Sequence, residues 1–136
     1  MFYRYKFRTE EINNELILRP KIPIMVSHKD KSQVIFAVLD TGSDLVYLPR
    51  DLAEYFELPI SEEIFTAKGV EHQFAYQQSN IKIKLEHPHK PFQKKLNVII
   101  PTSKQYSEVI LGTEFLHHFA ALFDYPNKSI KLTEHG

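Results

Sequence analysis

Apolar and polar residues alternate with a period of two along much of this chain. Tyr3, Tyr5 and Phe7 interleave with Arg4, Lys6 and Arg8, the pattern of a strand with one apolar and one charged face. A polar stretch, residues 9–15, separates it from Leu16-Ile17-Leu18. Ile22, Ile24 and Val26 alternate again, and His28-Lys29-Asp30-Lys31-Ser32 reads as a hairpin turn. The return arm, residues 33–39, is largely apolar and β-branched, which suits a strand buried on both faces. It runs directly into Asp40-Thr41-Gly42-Ser43.

Beyond that point Leu45-Val46-Tyr47-Leu48 leads to Pro49, placed as the first residue of a helix that carries Leu52, Tyr55 and Phe56 on one side. Pro59 ends it. Residues 62–77 hold one glycine, Gly69, and read as a hairpin with its tip near Ala67-Lys68-Gly69. A second turn is expected at Gln78-Ser79-Asn80, before Ile81, Ile83 and Leu85 alternate with lysines. The prolines of His87-Pro88-His89-Lys90-Pro91 mark another turn. Residues 96–100 form a further strand, and residues 101–107 a polar loop. Val109-Ile110-Leu111-Gly112 is a short buried strand, after which Thr113 can cap a helix carrying Leu116, Phe119 and Ala120. Two strands, residues 122–125 and 129–132, flank Pro126-Asn127-Lys128. Many short strands, two short helices and no repeat or linker indicate one mostly-β domain over residues 1–136.

Composition narrows the function classes. The 136 residues carry 17 basic and 17 acidic side chains, so no net charge draws the chain to nucleic acid or an anionic membrane. No cysteine is present, so disulfides and thiolate metal sites are excluded. The longest apolar run, residues 34–39, is far too short to span a bilayer. The aromatic-basic N-terminus lacks the apolar block of a secretory signal, and a cytoplasmic location is the expectation.

Asp40-Thr41-Gly42-Ser43 is where chemistry concentrates. A carboxylate at the end of an apolar run is costly to bury unless something hydrogen-bonds to it. Gly42 lets backbone approach that carboxylate closely, and Ser43 offers a hydroxyl. The same four residue types also dominate ordinary turns, so the string alone fits a plain turn equally well.

The longer run Phe36-Ala37-Val38-Leu39-Asp40-Thr41-Gly42-Ser43 resembles the active-site signature of aspartic proteases. Ile110-Leu111-Gly112 followed by Thr113-Glu114-Phe115-Leu116 resembles that family's second landmark. Ala67-Lys68-Gly69-Val70 stands where a flap hairpin belongs, and residues 122–125 and 130–132 match the closing strands. Together these span roughly residues 21–132. A single Asp-Thr-Gly in a chain too short for two lobes makes the likeness one to the single-lobe, retropepsin-like type. The resemblance implies a closed β-barrel-type fold with a flap hairpin and one or two short helices. It implies Asp40 as catalytic carboxylate, with Thr41, Gly42, Ser43 and Gly112 supporting it. Thr41 would hold the partner loop, Gly42 would give an amide to the carboxylate, and Ser43 would bond its outer oxygen. Gly112 would let the Asp40 loop pack closely, while Ala67, Lys68, Gly69 and Val70 would form the flap over substrate. The implied active species is a homodimer hydrolysing peptides without metal or organic cofactor. The alternative that keeps the fold is a silent peptide-binding or dimerisation module. Residues 1–20 extend beyond the resemblance, and nothing in the motif assigns them a role.

Other chemistry is weaker. His87 and His89 flank Pro88, and His117 and His118 are adjacent in an expected helix, where neighbours do not face one way. No cysteine or carboxylate motif completes a zinc site. Ser43 lacks the Gly-x-Ser-x-Gly setting of a nucleophile. Lys82, Lys84, Lys94 and Lys95 read as solvated strand faces.

Overall fold

The computed structural model describes residues 2–68 and 73–135. Strands β1 (Phe2–Lys6), β2 (Arg8–Ile12), β3 (Glu15–Arg19), β4 (Lys21–His28), β5 (Lys31–Leu39) and β6 (Val46–Tyr47) precede helix α1 (Arg50–Tyr55). Strands β7 (Phe65–Lys68), β8 (Gln73–Leu85), β9 (Phe92–Pro101) and β10 (Val109–Leu111) lead to helix α2 (Thr113–Leu116), then β11 (Phe119–Asp124) and β12 (Ser129–Glu134).

Strands β4, β5, β10, β6, β9 and β8 pair in that order, and β8 also pairs with β4, which closes a ring of six strands. The alternating apolar residues meet inside it. Ile22, Ile24, Val26, Leu39, Val46, Leu48, Ile81, Ile83, Leu85, Val98, Ile100 and Leu111 are all buried. Period-two alternation on strands that curve into a ring puts one set of side chains in a common interior, where burial of each large one stabilises by about 2 kcal/mol. Phe56 after α1 and Phe115 in α2 are buried in the same core.

Strand β10 sits between β5 and β6. It runs parallel to β5, with Leu111 level with Leu39, and antiparallel to β6, with Leu111 opposite Val46. The chain leaving β5 must therefore cross the end of β10 to reach β6, and residues 40–45 make that crossing. A separate three-stranded sheet has the order β1-β12-β11, so β12 is central and β11 is an open edge.

Several elements differ from the sequence pattern for identifiable reasons. Residues 9–15 are a hairpin, β2 with β3, turned by Asn13 and Asn14 at φ 52° and 65°. Two consecutive left-handed residues suit such a turn, and asparagine tolerates them. Two-faced burial in β5 holds only at Ala37, Val38 and Leu39, the stretch that β10 flanks. Val34 and Phe36 are exposed, and the Arg8 guanidinium lies 3.8 Å over the Phe36 ring. No turn occurs at Gln78-Ser79-Asn80, because β8 runs unbroken through them. Their polarity serves the neighbouring segment instead: the Ser79 hydroxyl donates to the Pro59 carbonyl (2.6 Å) and the Gln78 amide to Ser61 Oγ (2.9 Å). Pro49 is the N-cap of α1 rather than its first residue, and its buried side is Ala53 with Phe56, leaving Tyr55 exposed. Thr113 is likewise inside α2, with Gly112 at the cap, and Phe119 and Ala120 belong to β11. His117 and His118 follow α2 rather than lying in it. Among the described residues, no helix is long and apolar enough to cross a membrane.

Candidate active site

The loop after β5 is built around Asp40. Its amide donates to the Leu111 carbonyl (3.1 Å), which ties the residue to the end of β10. The Gly42 amide donates to Asp40 Oδ1 (2.9 Å), and the Ser43 amide to the Asp40 carbonyl (3.2 Å), closing a tight turn. A carboxylate held by a backbone amide has a fixed direction before any ligand arrives. A methyl on Gly42 would sit 3.2 Å from Asp40 Oδ1, a tight contact that would press on the carboxylate.

Gly112 lies beneath the same loop. Its amide donates to the Leu45 carbonyl (3.0 Å), Thr113 N to Ser43 O (2.8 Å), and Glu114 N to Asp44 O (3.0 Å). Three successive amides at the start of α2 thus fasten the carbonyls of residues 43–45, and the Thr113 hydroxyl adds a bond to Asp44 O (3.3 Å). A Cβ at position 112 would meet the Ser43 and Leu45 carbonyl oxygens at 2.4 Å. The Ser43 hydroxyl departs from the role its position implied, since it donates to the Leu45 carbonyl (3.5 Å) and not to the Asp40 carboxylate. Thr41 is exposed.

Strands β7 and β8 are paired from Phe65 with Tyr76 to Lys68 with Gln73. Ala67 and Lys68 border a cleft of about 540 Å³ together with Gly42, Ser43, Asp44, Leu45, Tyr47 and Phe74. Gly69 and Val70, also expected in the flap, lie outside the described residues.

Beside the cleft, and sharing Tyr47 and Phe74 with it, is a smaller apolar pocket of about 130 Å³. Leu48, Pro49, Pro101, Tyr106 and Ile110 complete its wall, and Glu108 is its one charged member. Nothing in the local pattern marks these residues: Tyr47, Phe74 and Tyr106 are far apart in sequence and meet only when the ring closes. Their rings contact through Phe74, with centroids 6.0 Å from Tyr47 and 6.2 Å from Tyr106. Glu108 is held by two cations, Arg19 at 3.1 Å and Lys21 at 3.2 Å. Burial works against its ionisation, yet the hydrogen bonds from Lys21 and Arg19 outweigh that and hold its carboxyl below the usual carboxylate range. Among the described residues, no group of three or more histidines and carboxylates is placed to hold a metal ion.

No family model and no curated protein matches the chain. Solved structures do resemble it, among them the following two. The retropepsin-like aspartic protease from Rickettsia conorii superimposes with a TM-score of 0.61 at 13% identity, over 97% of this chain and 91% of that one. The EIAV protease in complex with the inhibitor HBY-793 gives 0.54 at 17% identity, over 73% of this chain and 86% of that one. The chain has a retropepsin-like fold: mostly β, a closed six-stranded barrel and two short helices.

Proposed function

We propose that the protein is an aspartic endopeptidase whose active site is assembled from two copies of the chain, each contributing Asp40. The observation that carries this reading is the Asp40 carboxylate, oriented by the Gly42 amide, in the loop that borders a cleft lined also by the β7–β8 arms. The fold shared with structures named as aspartic proteases supports the same class of chemistry.

One carboxylate per chain is half of what the reaction needs. Two carboxylates about 3 Å apart repel by about 5 kcal/mol at an effective dielectric of about 20, so a facing pair holds one proton between them. The ionised member takes a proton from a water, which attacks the scissile carbonyl. The protonated member supports the oxyanion, and the proton passes on to the leaving amine. Neither a metal nor an organic cofactor enters that cycle.

The surface offers a place for the second copy. Strand β11 carries no charge before Asp124, and its outer edge is open. Ala121 stands directly opposite buried Leu132, on the same face, yet is exposed. Bare apolar edges of this kind recruit another strand, whereas the opposite edge, β1, is guarded by Arg4 and Lys6. An isologous contact through β11 gives the two-fold symmetry that a shared pair of Asp40 loops requires.

The test is digestion of a denatured proteome-derived peptide mixture by the wild type and by Asp40→Asn, read by mass spectrometry. Cleavage by the wild type alone supports the reading, with the variant retaining its circular dichroism spectrum. Equal turnover by both forms would remove Asp40 from the mechanism. Peptide binding without cleavage by the wild type would leave a binding module.

A further inference from the structure

The N-terminal segment, which the motif leaves without a role, is tied through ion pairs to Glu108 in the wall of the apolar pocket. Glu10 on β2 bonds both Lys21 Nζ (2.8 Å) and Arg19 Nη1 (3.5 Å). The same two cations hold the two oxygens of Glu108, Lys21 on Oε1 (3.2 Å) and Arg19 on Oε2 (3.1 Å). Two acids and two bases thus form a closed neutral set, and three of its four members come from residues 10–21. Lys21 is the most buried, with 11% of its side chain exposed. Exposed single ion pairs contribute little, but a network in which each charge has two partners fixes the direction of every member.

The position of Glu108 gives that fixation a consequence. Every other wall residue of the pocket is aliphatic, aromatic or proline. The space, about 130 Å³, suits one apolar side chain. A free carboxylate on its rim would attract a lysine or arginine side chain and penalise an apolar one. With both oxygens engaged by Arg19 and Lys21, Glu108 has no charge to offer an occupant.

We propose that the Glu10–Arg19–Lys21 cluster is a specificity lock: by neutralising Glu108 it makes this pocket select apolar side chains of a peptide and reject basic ones. The proposal rests on the reading of the adjoining cleft as a peptide site. Arg19 and Lys21 are therefore positioning residues that act through Glu108 and do not themselves touch substrate.

The experiment compares side-chain preference in a peptide library for four proteins: wild type, Arg19→Gln/Lys21→Gln, Glu108→Gln and the triple variant. Preference is read twice, from cleavage sites and from peptides captured by the same proteins carrying Asp40→Asn. The second readout does not require catalysis. In the double variant, acceptance of Lys or Arg relative to Leu or Phe at one position rises at least tenfold, and the triple variant loses that gain. A purely structural role for the cations would lower turnover or stability without moving this ratio. A folded double variant with the wild-type profile overturns the lock, as does a gain that persists in the triple variant. If the double variant does not fold, Arg19→Gln alone serves, and a folded single variant with no rise in basic acceptance also overturns it. Capture that shows the switch while the wild type cuts nothing would sustain the lock and overturn the endopeptidase reading. A library from which neither form selects any peptide would overturn both.

Discussion

Alanine in place of Gly112 adds one carbon where the structure has no room for it. That carbon would lie 2.4 Å from two carbonyl oxygens, those of Ser43 and Leu45, about 1 Å short of ordinary contact. Both obstacles are backbone, and both oxygens accept hydrogen bonds from this same junction, Leu45 O from Gly112 N and Ser43 O from Thr113 N. No side chain can swing aside, so the Asp40 loop must lift off β10. Overpacking of a tight interior costs about 1–3 kcal/mol, and weakening two backbone bonds adds about 1 kcal/mol. The expected loss is therefore about 3 kcal/mol, or about 10 °C in Tm for a chain of this size. A carboxylate displaced by about 1 Å should also lose about 100-fold in turnover under conditions where the variant is fully folded. Urea unfolding followed by circular dichroism, with peptide hydrolysis measured well below the transition, reads both quantities. A destabilisation below about 1 kcal/mol would refute the steric argument. Turnover that falls only in step with the folded fraction would show that the loop does not transmit the strain to Asp40.

Other outcomes follow from the same geometry. Ala121→Lys on the open edge of β11 should shift the protein to monomer in sedimentation and lower activity in parallel, while Arg4→Ala on the opposite edge should do neither. Ser79→Ala removes the donor that satisfies the Pro59 carbonyl and should cost about 1–2 kcal/mol in denaturant unfolding. His118 is held below its ordinary value by burial first, then by His117 and Lys94. A group with a depressed folded value favours the native state above its unfolded value of 6.5 and loses that advantage as pH falls through the folded one. Tm should therefore drop between about pH 7 and pH 5, and His118→Gln should flatten that drop; an unchanged slope would exclude His118 as its source.

Much of the barrel was legible because period-two alternation is a local signal. Ile22, Ile24 and Val26, or Ile81, Ile83 and Leu85, announce which side faces inward wherever the strands travel. Gly42 stood out because glycine lets backbone approach a neighbouring carboxylate, whereas Gly112 stood out only through the resemblance of its surroundings to a known signature. Polarity misled where side chains serve the backbone of a distant segment, as Ser79 does for Pro59, since such a bond looks like a turn in sequence. Helix starts were misplaced by one residue at Pro49 and Thr113, and the second helix was drawn too long because Phe119 and Ala120 pair with β12 instead. The pocket was invisible for a different reason: Tyr47, Phe74, Tyr106 and Glu108 come from separate stretches, and their meeting is a property of ring closure. The role of residues 10–21 was hidden likewise, because the acid they neutralise is Glu108, almost a hundred positions away by chain.

The pairing of β1 with β12 sets an order of events. Phe2 lies opposite Thr133 and Lys6 opposite Ser129, so β1 waits for a partner strand made more than a hundred residues later. Closing a loop of that length costs only modestly more entropy than closing a short one, but the contact cannot form until β12 has been made. Until then β1, with Tyr3 and Tyr5 uncovered, is a sticky strand without its mate. The alternating Arg4 and Lys6 that guard its edge in the finished sheet also guard it during that wait. Strand β11 emerges just before β12, so both neighbours of β12 in this sheet, β11 and β1, are joined to it within one short stretch of synthesis.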